Sequence, residues 1–571
     1  SIVRRLPIAQ FPDVHARTHP NVLLPIERPN VVFVVSDCGR GLFLPFLHNL
    51  ANYRFHRKRC RQFAAIYSHP FDHTIPAARF TFGVMSEAIR TLEPTALWGY
   101  FADLNAVPRP SKQEERVRAW ARGVGEQLGL PAEEDAVGNV LIRKPATPGM
   151  ENRKTVVLQS HLDMVCQKNA DTDFNFETEG IRMVIQGDWV AAEGTTLGAD
   201  NGIGVAAICA VLASKDIPHP PLEALFTIDE ETGMTGALGL QGGWLTGQVL
   251  LNLDTEDDDE LSIGCAGGVD VTSTGMYKSE PTKSRATGLT IRIRGGSGGH
   301  SGMDIHKGLL NANKQMNRLL LELSEVLDFQ IAEINGGGLR NAIPRESEAT
   351  IAATDADAAE RQLRASFDAI VQEYATTDPG LQLDVVPVGA PSACLPAMTA
   401  KALLLAIQAC PVGIHRMSPD IPDLVQTSNN LARVQVREGE VTIQCLCRSS
   451  VDSEKDDHAR SISAAFALAG LATTFSGSYP GWTPNPNSPT TALLRELYVE
   501  KFAQEPKVIA CHAGLECGIL GTNYPDLDMA SFGPNIRGAH SPDERVQISS
   551  VQKFWDFFTD ALARIPATQS A

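Results

Sequence analysis

The sequence predicts an α/β protein with a mixed, mostly parallel sheet, interrupted by an inserted α+β unit. Three observations carry that prediction. Between Val156 and Asp254, short apolar runs alternate with a helical stretch, the order that produces parallel strands. Each of those runs ends in acidic or imidazole side chains, and open α/β sheets collect their functional groups at the carboxyl ends of the strands. Beyond Gly268 the runs instead alternate apolar with polar residues, the pattern of a half-exposed antiparallel sheet.

The elements follow in order. Leu92–Phe101 and Ser111–Leu128 read as amphipathic helices, with Pro108-Arg-Pro110 as the break between them. Val137–Arg143 reads as a strand, and so does Val156–Val165. Gly198–Gly204 opens a helix over Val205–Ala213. Ala224–Glu231 and Val249–Asp254 are strands that end in carboxylates. In the inserted unit, Gly288–Arg294, Ala349–Ala353 and Val441–Arg448 read as strands, and Asn311–Leu327 and Ala358–Tyr374 as helices. The Pro- and Asn-rich stretch Tyr479–Pro489 marks its end.

A chain of 571 residues is too long for one compact core. Its hydrophobic share of 43% and charged share of 20% describe an ordinary globular protein. The longest apolar run, Val205–Ala213, is far too short to span a membrane. The net charge of −17 argues against nucleic acid as a partner. Eleven Cys, scattered without zinc-finger or thioredoxin spacing, fit a reducing cytoplasm, and Cys445-Leu-Cys447 reads as strand.

The candidate chemistry begins at His161 and Asp163. Residues two apart on a strand share a face, so the imidazole and the carboxylate leave the strand end side by side. That pairing suits a metal-binding His whose second ring nitrogen a carboxylate holds. Asp200, the Asp229-Glu230-Glu231 run and Asp254 follow at other element ends, and His540 lies in a turn-rich loop far along the chain. Helix capping and solvation account for any one of these carboxylates and account poorly for all of them together. Asp257–Glu260 reads as a solvated acidic loop, and His306 as structural.

These motifs resemble the di-zinc exopeptidase family that includes carnosinases and, within it, the bacterial aminoacyl-histidine dipeptidases. The supporting stretches include Gly194–Gly204, Gly264–Gly268, Gly298–Gly302, Arg340–Glu346, His512–Gly518 and Ala539–Glu544. The resemblance implies a catalytic domain split around a lid: residues 85–267 and 478–571 form the first, residues 268–477 the second. It implies two zinc ions per chain, replaceable by cobalt or manganese. Asp200 would bridge them, with His161 and Asp254 completing one site and Glu231 and His540 the other. Glu230 would be the general base and Asp163 the partner that orients His161. In the lid, His300 would hold the scissile carbonyl oxygen, while Asn341 and Arg448 would receive the substrate's C-terminal end; Gly514, in the second catalytic segment, would offer backbone groups beside the site. The implied reaction is hydrolysis of dipeptides, Xaa-His dipeptides among them, by a cytoplasmic homodimer. Another di-zinc exopeptidase or N-acyl amino acid amidohydrolase would keep the same ligands and differ in the lid. A non-catalytic binding protein on this fold would have lost a ligand or Glu230, and none is missing.

Residues 1–84 read differently. They carry eleven Lys/Arg and four Asp/Glu, a net +7 that leaves −24 for the remainder, and Pro is frequent while periodicity is poor. The first Met is residue 85. Residues 1–84 are therefore expected to be disordered upstream sequence from a misplaced start.

Overall fold

The computed structural model describes residues 85–568, so the expectation for residues 1–84 lies outside the described residues. Helix α1 (Thr95–Asn105) begins after Pro94 rather than at Leu92, because proline fixes its own φ and disfavours helix in the residue before it. Helix α2 (Glu115–Gln127) begins four residues later than its periodicity suggests. Its expected first turn is drawn elsewhere: Ser111 Oγ donates to Asp163 at 2.8 Å, and Glu114 accepts the Asp229 N–H at 3.1 Å. Strands β1 (Ala132–Glu134) and β2 (Val140–Lys144) flank a tight turn in which Asp135 Oδ1 accepts three backbone N–H groups, from Val137, Gly138 and Asn139. That turn removes Val137–Asn139 from the expected strand.

Strand β3 (Val156–His161) is buried along its whole length. Helix α3 (Ala199–Ala213) is apolar all round and almost wholly buried, as such a helix must be. Strands β4 (Leu222–Thr227), β5 (Val249–Asn252) and β6 (Glu260–Cys265) complete the N-terminal share of an eight-stranded sheet. Two later strands, Asp528–Ser531 and Lys507–Cys511, complete the sheet. At its centre, β4, β3, β5 and Asp528–Ser531 are neighbours in that order and all parallel. Antiparallel pairs occur between β1 and β2, between β2 and β4, and between β6 and Asp528–Ser531. The central strands are near-continuous in apolar residues because both faces are covered. Leu158, Phe226 and Leu251 pack with α1 and α3 on one face, while Val157, Leu225 and Leu250 pack with Leu520 and Met529 on the other.

From Gly267 to Tyr479 the chain builds a second, nine-stranded sheet that is antiparallel throughout. The expected strands appear there as Thr287–Arg294, Ser347–Ala353 and Glu440–Ser449, the last containing Cys445 and Cys447. The expected helices appear as Ala312–Val326 and Ala356–Glu373. Their apolar faces, through Leu319, Leu323, Leu363 and Ile370, cover one face of this sheet and form a separate core. Each has a side-chain cap: Asn311 accepts the Lys314 N–H and Asp355 the Ala358 N–H. No helix among the described residues is long and apolar enough to cross a membrane.

Candidate metal centre

The carboxyl ends of β3, β4 and β5 and the turn that opens α3 converge on one point. His161 Nε2 lies 3.2 Å from Asp200 Oδ1 and 3.6 Å from Asp254 Oδ1. His540 Nε2 lies 3.2 Å from Asp200 Oδ2 and 3.0 Å from Glu231 Oε2. Asp200 therefore turns one oxygen toward each imidazole and joins two triads, His161–Asp200–Asp254 and Asp200–Glu231–His540. Glu230 stands within the same volume, its carboxylate grouped with His161 and Glu231. His540 arrives from the far end of the sequence on a turn in which it takes φ 63°, a conformation uncommon outside glycine.

Local structure explains why these side chains stay where they are. Asp163 is fully buried, and its Oδ1 lies 3.4 Å from His161 Nδ1. The same carboxylate accepts the backbone N–H groups of Glu230 at 3.1 Å and Glu231 at 3.3 Å. One buried carboxylate thus lies beside the His161 imidazole and anchors the turn that presents the two glutamates. Gly204 lets α3 approach: a Cβ there would press on Ser160 Oγ and come within 2.6 Å of the Leu253 carbonyl oxygen.

Burial pushes the Glu230 carboxyl well above the usual carboxylate range; His161 opposes the shift, while Asp254, Glu231 and Glu516 add to it. Burial likewise lifts Asp254 to about 6 and raises Glu231. His540 is pushed up to about 11 by its hydrogen bonds to Asp200 and Glu231. Burial pulls His161 down, but Asp254, Asp163 and Asp200 outweigh it and hold the imidazole well above its ordinary value. A buried cluster with such an excess of carboxylate calls for positive charge. The donor set of two imidazoles and three carboxylates suits a divalent cation such as zinc, and Glu231 Oε1 is buried without a hydrogen-bond partner. The residues fit a pair of metal ions.

Three of the four expected substrate contacts, His300, Asn341 and Arg448, gather around the Ser301–Gly302 backbone. A Cβ at Gly302 would sit 3.2 Å from both His300 Cε1 and Arg448 Nε. Arg448 is buried, donates from Nη1 to Tyr479 OH at 2.9 Å and leaves Nε unpartnered. His300 Nδ1 accepts the Met303 N–H at 3.0 Å, and burial, with Arg448 beside it, pulls its pKa down to about 4. Asn341 is exposed and joins the group through its carbonyl, which accepts the Ser301 N–H at 2.7 Å. Gly514 lies between the two clusters: a Cβ there would meet Tyr479 at 3.0 Å and Met234, three residues past Glu231, at 3.1 Å.

Several residues that shape the site escaped the sequence reading. Glu544 is buried, and its two oxygens accept the N–H groups of Leu197, Gly198, Ala199 and Asp200 at 2.7–3.2 Å. Arg109, read only as part of a helix break, is fully buried and donates to the carbonyls of Leu162, Asp163 and Gly198. The acidic loop after Asp254 is tied down rather than merely solvated: Asp257 pairs with Arg537, Asp258 with Lys553 and Asp259 with Lys507. His306 sits exposed in a single 3₁₀ turn.

Comparisons with known proteins agree with this geometry. Residues 157–564 match the model of peptidase family M20/M25/M40. The chain is 45% identical over 485 residues to the cytosol non-specific dipeptidase of Escherichia coli (strain K12), an alignment that covers 85% of this chain and all of that protein. Its structure matches the crystal structure of the aminoacylhistidine dipeptidase from Vibrio alginolyticus with a TM-score of 0.78 at 42% identity, covering 85% of this chain and all of that one. By the length of these matches, the chain belongs to peptidase family M20/M25/M40.

Proposed function

We propose that this protein is a cytoplasmic metallo-dipeptidase of broad specificity that cleaves Xaa-His dipeptides among others and acts as a homodimer. The observation that carries the reading is Asp200, placed between two imidazole–carboxylate pairs with one oxygen toward each. The relatives named as dipeptidases support it. We assign His161 and Asp254 to one zinc ion, Glu231 and His540 to a second, and Asp200 to both, with cobalt or manganese able to substitute. The division into a catalytic domain (residues 85–267 and 478–571) and a lid (residues 268–477) is part of the proposal, and the two separate sheets and cores support it.

A pair of bound cations would polarise the scissile carbonyl and make water acidic enough to attack near neutral pH. The chain's own residues do the rest. Glu230, not needed as a ligand, takes the proton from the attacking water and passes it to the departing amine; a carboxyl raised by burial is better matched to that exchange than an ordinary one. Asp163 holds His161 in its orientation and keeps the Glu230 backbone in register. The buried Arg448 guanidinium, with an unpartnered Nε–H, suits the terminal carboxylate of a dipeptide. His300, kept neutral beside it, can donate to the carbonyl oxygen as charge develops there. Asn341 joins Arg448 at the substrate's C-terminal end, and Gly514 offers backbone groups beside the site.

The test is an activity panel. Purified protein is supplied with zinc, manganese or cobalt and offered dipeptides, tripeptides and N-acetyl amino acids. Cleavage of dipeptides well above the other two classes is expected. Preference for N-acetyl amino acids or tripeptides would replace the reading, and no hydrolysis with metal bound would remove it.

A further inference from the structure

Below the metal ligands the strand ends carry a buried polar ladder, where a parallel sheet covered on both faces is ordinarily apolar. Thr227 closes β4, Gln159 lies on β3 two residues before His161, and Asn252 closes β5 two residues before Asp254. The three strands are neighbours, and all three side chains are fully buried. Asn252 Nδ2 donates to Gln159 Oε1 at 2.5 Å, and Gln159 Nε2 donates to Glu516 Oε2 at 2.6 Å. Thr227 Oγ1 donates to that same Glu516 oxygen, also at 2.6 Å. Glu516 is fully buried and opens helix α4 (Glu516–Asn523) directly after the loop that carries Gly514.

A carboxyl group in this position is costly, and an apolar side chain would suit the neighbouring packing of Leu225 and Leu520 with less penalty. What the carboxyl supplies is a single acceptor that reaches two strands directly and a third through Gln159. Those strands end, two to four residues later, in His161, in Glu230 and Glu231, and in Asp254. We propose that Glu516 is a positioning residue that fixes the relative placement of the three ligand-bearing strand ends and locks them to the loop containing Gly514. This rests on the metallopeptidase reading above and adds a residue that touches neither metal nor substrate.

The experiment compares Glu516→Gln, Glu516→Leu and Thr227→Val in the full chain. Zinc affinity is read by chelator competition on stripped protein, and kcat and KM separately on the best dipeptide. Groups that orient ligands from behind typically change metal affinity or activity about 10- to 100-fold when lost. Glu516→Gln keeps an acceptor oxygen, so its zinc affinity and kcat should stay within about threefold of the parent. Glu516→Leu should bind zinc at least about tenfold more weakly and lose a similar factor in kcat, with KM less affected. Thr227→Val, which removes one donor, should weaken zinc binding measurably and by less. Unchanged zinc affinity in both Glu516→Leu and Thr227→Val overturns the proposal, as does an equal loss in Glu516→Gln and Glu516→Leu. If Glu516→Leu fails to fold by circular dichroism, Thr227→Val decides alone: weaker zinc binding supports the ladder and unchanged binding overturns it. An inactive parent chain that still binds zinc would count against the dipeptidase reading, while the affinity comparison would still decide the role of Glu516.

Discussion

At the scale of single residues, Glu230 and Asp200 make opposite predictions. Glu230→Gln leaves every proposed ligand intact, so both metals should remain by elemental analysis while turnover falls about a hundredfold or more, as removal of a general base requires. Full activity with metal content confirmed would end that assignment. Asp200→Ala removes the carboxylate that turns one oxygen toward each imidazole, so it should abolish activity and lower bound metal together; two zinc ions retained per chain would show that Asp200 is no bridge. The residues in these predictions were legible in the sequence because each borders an apolar run, Glu230 after a strand and Asp200 at the front of a helix, where a charged group needs a reason. Glu544, Arg109 and Glu516 were not legible. Each is a charged residue whose main partners are backbone groups or buried amide and hydroxyl groups distant in sequence, and no local pattern of residue types records such a contact.

At the scale of elements, the turn Leu197–Asp200 is held from both sides, by Glu544 on its N–H groups and by Arg109 on the Gly198 carbonyl. Glu544→Gln replaces one acceptor oxygen with an NH₂ group aimed at two backbone donors. An unsatisfied buried donor costs ~1–3 kcal/mol, so the melting temperature should fall by several degrees. Because Asp200 belongs to that turn, bound metal should fall as well. A lower melting temperature with unchanged metal content would show that the turn supports the fold without setting the ligand. The helices Ala312–Val326 and Ala356–Glu373 were readable to within two residues, since an apolar stripe and a capping Asn or Asp mark them in the sequence. Element starts near prolines and Asx turns were less so: Pro94 delays α1, and the Asp135 turn trims the front of β2. In both places local backbone chemistry outweighs periodicity.

At the scale of the whole molecule, the proposed metal centre should couple folding, pH and cation binding. With no cation between them, the His540 imidazole, raised to about 11 by its hydrogen bonds to Asp200 and Glu231, should be protonated near neutral pH, and the carboxylates around His161 favour its protonated form too. A metal ligand must be a neutral imidazole, so loading the pair should release about two protons per chain, one from each His. For the site groups whose values are raised, the signs in the stripped protein run one way. A His whose folded value lies above its unfolded value of about 6.5 gives stability that is complete below that pH and fades as pH rises toward the folded value. Asp254, lifted to about 6 by burial, and Glu516, lifted to about 8 by burial, also bind more protons folded than unfolded, so they too destabilise the stripped fold as pH rises through those windows. Zinc affinity moves in the opposite sense, because fewer protons must be displaced at higher pH. The gap in melting temperature between zinc-loaded and chelator-stripped protein should therefore widen steadily from about pH 6 to about pH 9, since tighter binding to the folded state adds to apparent stability at fixed free zinc. Calorimetry in buffers of different ionisation enthalpy would count the released protons. A gap that stays constant across that range, or zinc uptake without proton release, would mean that the imidazoles are already neutral in the stripped protein and that the site is held open by something other than its own ion pairs.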